Sequence, residues 1–541
     1  MVHPHKPLEI VSVYASMSSR AAGVAAVLAL AALLLTGSAS GSSAPGTRDL
    51  ALINRGIDRA AAAGRIDSTE AGDYRDAANG AAGVLPKLRS SRYRNLAAVV
   101  HQVAGFWKGY DSPRGRTLFD MLAFNTRWFA SHWDRKAGTD VVDYSDGTWY
   151  RAFSGIGFQF HPLENFGKLN NFVTQKNTAR ADQLAQALLA RRVVRADGLA
   201  WEYYFRFDGG RPPWISGMAQ AVAAQALSRA GALLADPTLT AASQRAFKTV
   251  PQLTREVKAG PWIRHYAFSD LIVLNSQLQT VVSLQDYVTQ TNDQAAAALA
   301  AQLQAAAIGM LPRFDTGAWS LYSLNGAEAP LNYHKYVVRL LTILARRTPD
   351  ATLASYAQRF SDDLTEPPAV KTGAAPGAIY PWPQDGYRDY ARYVVWVSKR
   401  STVRLQVQNA SKPVVFSRGW HTLTWSPGRI APGNYTPTLR AVDVVGNASD
   451  TELQPVEVRR DTEAPKLSAS LSGGRLYWNA TDDASPWVRL WVVLRKPGSV
   501  RSISLGHRPF RGSAVIGALA GWSTTLYGAD SSGNATKLAL R

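Results

Sequence analysis

The sequence predicts a multidomain protein: a mainly α N-terminal unit, built as an all-α bundle or toroid, followed by two all-β sandwich modules. Three observations carry this prediction. Apolar residues recur with a helical period through roughly the first two thirds of the chain. From about Tyr393 the period becomes two, that of half-buried strands. In that second part an Asp-x-x-Gly-Asn motif occurs twice, at Asp443–Asn447 and Asp530–Asn534, 87 residues apart. A chain of 541 residues also exceeds what one small core serves.

The helical part runs from about Arg48 to Asp363. Asp67 and Glu70 stand three apart ahead of an Ala-rich run, the spacing of a capping box. Leu271, Leu274, Leu278 and Val281 mark one face of a helix, and Leu299, Leu303, Ala306 and Met310 one face of the next. Further helices are predicted over 114–132, 178–194, 213–235, 332–347 and 349–363. Short connections force such helices to bury their apolar faces on one another. The stretch 139–161, rich in aromatic and β-branched residues, reads as strands or an ordered loop.

Glu366-Pro367-Pro368 and the run Gly373 to Pro383 mark a linker or a transition into strands. Beyond them Val403, Leu405 and Val407 alternate with Arg404 and Gln406. Each copy of the repeat follows a strand, and its Gly and Asn tolerate positive φ in the turn. The expected divisions are 48–365 for the helical domain, 366–392 for the linker, and 393–460 and 461–541 for the two modules. The copies resemble bacterial Ig-like modules appended to secreted enzymes. A spacer role is the simpler reading, with glycan binding as the alternative.

Lys and Arg number 60 against 40 Asp and Glu, a formal charge of +20 that suits polyanionic partners. The basic residues are scattered and no RNA- or DNA-binding motif is present, so nucleic acid is not the expected partner. Cysteine is absent, which excludes disulfides, thiolate catalysis and Cys-based zinc sites. Arg20 precedes the apolar run Ala21 to Leu35 and the small residues Thr36 to Gly41, the plan of a secretory signal peptide over 1–40. That run is short for a membrane span, and Ser38 stands where a lipobox would need Cys. The expected start is Met17, and the expected location is extracellular or in the cell envelope, with no transmembrane anchor after cleavage. An acidic polysaccharide is then the expected partner.

No phosphate loop, Gly-x-Ser-x-Gly elbow or His-Glu-x-x-His motif occurs, and nine His do not favour a His-rich metal centre. Five short elements, taken together, point elsewhere. Gly157-Phe158-Gln159-Phe160-His161-Pro162-Leu163 leads into a helix. Pro213-Trp214-Ile215-Ser216-Gly217-Met218-Ala219-Gln220 opens one that ends Leu227-Ser228-Arg229-Ala230. Trp262-Ile263-Arg264-His265-Tyr266 precedes Val273-Leu274-Asn275. Phe314-Asp315-Thr316-Gly317 leads to Leu321-Tyr322-Ser323-Leu324, and Ala329-Pro330-Leu331-Asn332-Tyr333-His334 opens the last helix of the set. In order and spacing this set, spanning about 157–347, resembles the D-glucuronyl C5-epimerase family.

The resemblance implies an enzyme that epimerises glucuronate at C5 within a polysaccharide. It implies functional roles for Tyr322, Tyr333 and Tyr266, and a substrate groove near Asn325, His334, Gln220 and Arg264. Two positions depart from the family pattern: His265 stands where the family has a catalytic Glu, and Asn325 where it has an Arg. His keeps a base that titrates near 6.5 when unperturbed; Asn offers hydrogen bonds but no charge. Arg206, Arg211 and Arg264 lie near the motifs as cations for a substrate carboxylate. No cofactor is required, and a structural calcium is compatible with the reading.

Each residue also has a plainer reading. Tyr322 and Tyr333 could be packing tyrosines, His265 a satisfied or surface histidine, and Asp315 a turn or cap. Trp214 and Met218 suit helix-head packing, while Gln220 could face the groove. Phe160 and Trp201 are better explained as core than as sugar platforms. Two other functions stay open: a polysaccharide lyase, which removes the same proton and which the His265 and Asn325 departures favour, and an envelope glycan-binding protein without catalysis.

Overall fold

The computed structural model describes residues 46–428 and 430–540, so the predicted signal peptide lies outside the described residues. The chain forms two compact units, the first ending at Asp362 and the second beginning at Asp363.

The first unit holds the α-helices α1 (Thr47–Ala62), α2 (Ser68–Val84), α3 (Ser90–Gly105), α4 (Ser112–Ser131), α5 (Pro162–Thr174), α6 (Thr178–Ala190), α7 (Gly217–Leu234), α8 (Pro237–Phe247), α9 (Leu274–Thr291), α10 (Gln294–Met310), α11 (Leu331–Arg347) and α12 (Ala351–Asp362). Side-chain caps start many of them. The Asp67 carboxylate accepts from the Glu70 N–H at 2.8 Å and Glu70 accepts from the Asp67 N–H at 3.2 Å, a complete capping box. Asp111, His161, Asn177, Ser216, Asp236 and Asp293 cap α4 to α8 and α10 in the same way. The expected helix around Leu271 begins only at Leu274, because Leu324 N–H bonds the Ile272 carbonyl and ties the preceding residues to another loop.

From α5 onward the helices alternate between two layers. α5, α7, α9 and α11 pack on one another in succession, while α6, α8, α10 and α12 each cover the helix before them. The centre of this array is α7, buried on nearly every face. Its run of Ala and Gly makes that close approach feasible: a Cβ on Gly217 would come within 2.6 Å of the Ile263 side chain. Between α4 and α5 lies the antiparallel sheet β1 (Asp140–Val142), β2 (Trp149–Phe153) and β3 (Gly157–Phe160), in that order. Hairpins β4 (Val193–Arg195)–β5 (Gly198–Ala200) and β6 (Thr254–Val257)–β7 (Gly260–Ile263) fill two further connections.

The second unit contains two β modules with separate cores. In the first, strands Ala391–Val397 and Gly419–Trp425 face a sheet containing Ser401–Val407 and Thr438–Asp443, and Val395, Leu423, Val403 and Leu439 meet between them. The segment expected to be a linker belongs to this module. Val370–Thr372 pairs with Ala391–Val397, and Ile379, 3 % exposed, completes the core. Burial of that isoleucine outweighs the loop character of its Pro- and Gly-rich neighbours. In the second module Arg475–Thr481 and Val488–Lys496 contribute Leu476, Trp478 and Leu490 to the core.

The repeated motif performs the same task twice. Asp443 accepts from the Asn447 N–H at 3.0 Å, and the Asn447 amide donates to the Leu364 carbonyl at 2.9 Å. Asp530 accepts from the Asn534 N–H at 2.9 Å, and Asn534 donates to the Asp461 carbonyl at 3.1 Å. Each turn therefore fastens the chain that enters its own module. The charges differ between the copies. Asp443 meets the buried Lys399 ammonium at 3.2 Å, whereas Asp530 lies with Asp461 and Asp482, their nearest oxygens all within 4.8 Å.

Candidate active site

The inner helices bring the expected tyrosines together at their N-terminal ends. Tyr333 lies in the first turn of α11. Tyr322 sits on the loop before it, where its carbonyl accepts from the Leu274 N–H at the start of α9 and its N–H donates to Ala327. The two rings meet edge to face at 5.2 Å. Tyr266 follows β7 and is held over the start of α7 by the Ala267 N–H to Ile215 bond and the Gly217 N–H to Arg264 bond. Its ring lies 5.4 Å from Trp214 and 5.3 Å from Phe207. Trp214 stacks on Tyr203 at 4.1 Å, and its indole donates to the Phe205 carbonyl. This aromatic cluster is separate from the main helical core.

Burial raises the pKa of all three phenols. For Tyr266 the neighbouring Tyr322 and Tyr333 add to the effect. For Tyr322, Tyr333 adds to it and hydrogen bonding with Tyr266 opposes it. For Tyr333 only the Arg151 guanidinium opposes it. Each phenol is therefore a neutral acid at rest, and Tyr333 alone of the three has a cation beside it that favours its anion.

His265 is buried, 9 % exposed, with its ring 4.2 Å from that of Tyr266. Its Nδ1 has no hydrogen-bond partner, and burial lowers its pKa to about 4. A neutral imidazole at ordinary pH results, able to accept a proton. His161, the cap of α5, lies 5.1 Å from Tyr203 and is also held neutral by burial, with Arg151 and His265 adding to the effect.

The four expected binding residues occupy other positions. Gln220 is fully buried, and its amide both accepts from the Trp201 N–H and donates to the Trp201 carbonyl, each at 3.2 Å. It secures the chain before α7 and does not line a groove. His334 is likewise buried, stacked on Trp319 at 3.8 Å, with Nδ1 2.8 Å from the Ser320 hydroxyl and Nε2 2.8 Å from the Phe360 carbonyl. Its neighbour Tyr333 faces the site; successive residues on a helix point about 100° apart, so only one of the pair can do so. Asn325 is exposed at the tip of a turn with φ 57°, a conformation Asn adopts readily. Arg264 pairs with Asp270 at 2.7 Å. Arg206 and Arg211 are exposed. Asp315 forms the turn expected of it, accepting from the Gly317 N–H, and pairs with Arg359. Phe160 and Trp201 are core.

The cation that favours the Tyr333 anion is Arg151, on β2. Strand pairing sets it opposite Asp140, which it holds with two bonds of 2.7 and 3.0 Å, and it reaches Glu164 at 2.6 Å. Lys168 lies 3.2 Å from Glu164. Asn165 fixes the strand by pairing with both backbone groups of Trp149. Neither Arg151 nor Glu164 stands out in the sequence, because the tyrosine motifs begin only at Trp262 and nothing local signals the contact. Among the described residues one set of carboxylates, Asp461, Asp482 and Asp530 in the second unit, offers oxygen donors of the type calcium takes.

No curated relative matches the chain. Among solved structures, a cellobiose 2-epimerase from Bacillus thermoamylovorans B4167 aligns at 11 % identity over 50 % of this chain and 74 % of its own, with a TM-score of 0.33. An endoglucanase from Komagataeibacter sucrofermentans aligns at 14 % identity over 42 % of this chain and 71 % of its own, with a TM-score of 0.29. The fibronectin(III)-like modules of Clostridium thermocellum CbhA align at 15 % identity over 32 % of this chain and 92 % of theirs, with a TM-score of 0.17. Residues 196–362, which carry His265, Tyr266, Tyr322 and Tyr333, match the family described as D-glucuronyl C5-epimerase C-terminus.

Proposed function

We propose that the helical unit is a carbohydrate-acting enzyme that inverts C5 of D-glucuronate residues within a polysaccharide. The C5 proton is α to the carboxylate, so its removal leaves an enolate whose charge must be held. Inversion then needs a base on one face of the sugar and an acid on the other. The observation that carries the reading is the Tyr322–Tyr333 pair, its rings 5.2 Å apart and meeting edge to face; the Arg151 charge favours the anion of Tyr333. Tyr333 first gives up its phenolic proton to solvent, an ionisation that Arg151 favours; the phenolate then takes the C5 proton while the electron pair of the C5–H bond moves into the carboxylate. Tyr322 gives its phenolic proton to the opposite face of C5, and Tyr266, hydrogen-bonded to it, restores that proton. The reaction consumes no cofactor.

The charge of +20 suits an acidic polymer. The predicted signal supports export to the cell surface or beyond, and the β modules serve as Ig-like spacers in this reading. Incubation with glucuronate polymers in heavy water tests the function: deuterium entering C5 supports it. A lyase is the second reading, supported by the neutral His265 with its free Nδ1. It would instead release an unsaturated uronate that absorbs in the ultraviolet. Binding without either product would leave a glycan-binding protein.

A further inference from the structure

The family pattern carries an arginine where this chain has Asn325, and Asn325 points into solvent from a turn. A uronate site without that cation must obtain its charge from elsewhere. We infer that Arg151, delivered from β2 rather than from the tyrosine loop, binds the substrate carboxylate through its Nη1 edge. The inference rests on the functional reading above.

The placement follows from the strand. Along β2, Tyr150 and Ala152 are buried, while Trp149, Arg151 and Phe153 share the opposite, half-buried face. Phe153 on that face lies 6.4 Å from His161 and 4.9 Å from Phe205. His161 leads through Tyr203 and Trp214 to Tyr266 by successive ring contacts of 5.1, 4.1 and 5.4 Å. Arg151 thus belongs to the wall that continues from the tyrosines.

Its hydrogen bonds leave one edge free. Nε and Nη2 are committed to Asp140, and Nη2 also to Glu164. Nη1 has no protein partner among the described residues, and the side chain is 19 % exposed. Two carboxylates therefore fix the plane of the guanidinium before any ligand arrives, and the remaining donors suit an oxyanion. Lys168 stands 3.2 Å from Glu164, whose pKa burial raises to about 7 against the opposing pull of Arg151 and Lys168. Preorganisation of this kind costs nothing at the moment of reaction. The electrostatic relief that Arg151 gives Tyr333 agrees with the same location. Residue 151 lies outside the segment that matches the family.

The test is the double variant Arg151→Gln/Glu164→Gln of the full chain, which removes the cation together with the buried carboxyl group that it holds. Helix ellipticity and melting temperature report whether it folds. Two probes are used: a glucuronate–N-acetylglucosamine polymer and the same polymer with its carboxyls reduced to alcohols. The parent should prefer the acidic form, and the variant should lose that preference while binding the reduced form as before. C5 exchange in heavy water should fall by about 10²-fold or more, the effect typical of losing one charge-stabilising donor. A folded variant that keeps exchange within threefold and keeps the preference overturns the inference and leaves the function standing. A parent that shows no exchange but whose acidic preference vanishes in the variant overturns the function and keeps the inference. A parent with neither exchange nor preference overturns both. Should the double variant fail to fold, Arg151→Lys preserves the charge but not the fixed fork; unchanged preference and exchange in that variant also overturn the inference.

Discussion

Replacing His265 by Gln is expected to flatten the acid side of the stability curve. In the folded chain burial holds the imidazole pKa at about 4, against about 6.5 in the unfolded chain. Above 6.5 both states carry a neutral ring and the residue adds no pH dependence. As pH falls from 6.5 toward 4 the unfolded state takes up a proton that the folded state refuses, so stability is lost across that window. At about 1.4 kcal/mol per tenfold the full displacement corresponds to about 3 kcal/mol by pH 4. Gln has no proton to gain, so this share of the loss disappears in the variant. His161, whose pKa burial also lowers, acts with the same sign and remains in place, so the acid limb is reduced rather than abolished. Urea titrations of parent and variant between pH 4 and 7, followed by helix ellipticity, measure the difference, because the second described unit is built of strands. Parallel curves for parent and variant would refute the claim that His265 is buried and neutral. A variant that also loses C5 exchange while stable at pH 7 would place His265 in the chemistry.

Tyr333→Phe and Tyr322→Phe should each reduce C5 exchange by about 10²–10⁴-fold, the usual contribution of a general acid or base. Melting temperatures should change little, since the edge-to-face ring contact survives loss of the hydroxyl; near-native turnover in both would sink the assignment. A fragment ending at Asp362 should fold with parental helix content, because its core closes within the first unit; aggregation under conditions where the full chain is stable would contradict this. Burial raises the pKa of Asp482 and Asp530, with the Asp461 charge adding to it. A folded value above the unfolded one means that stability is lost as pH rises through it, so Asp482→Asn should raise the melting temperature of the second unit at pH 7 in calcium-free buffer, and a fall would refute the repulsion. Deleting Arg20 to Leu35 should block export, measured by cell fractionation.

Local signals were legible in the sequence and directional ones were not. The Asp67–Glu70 capping box and the turns at Asp443 and Asp530 involve residues within four positions of each other, and their hydrogen bonds appear as expected. The tyrosines came from the family pattern, and the inner helices bring them together. His334 adjoins Tyr333 in the chain, and its type suits a site; nothing in the string records that it stacks on Trp319 instead. Gln220 turns inward for a related reason: α7 is enclosed on nearly all sides, so a polar residue there must satisfy the protein itself. Arg151 could not be found locally, because its value arises only when β2 is set against α5 and α11 carries Tyr333 to the same place.

The N-terminal ends of alternate helices deliver the functional side chains one connection at a time: His161 before α5, Trp214 before α7, His265 and Tyr266 before α9, Tyr322 before α11. The helix-to-helix contacts of the unit lie along the shafts, and Ile215, Trp262 and Ile263 anchor the connections in the same core. Each connection therefore brings its own share of the site, so one of these side chains can be exchanged without moving those that arrive from the others.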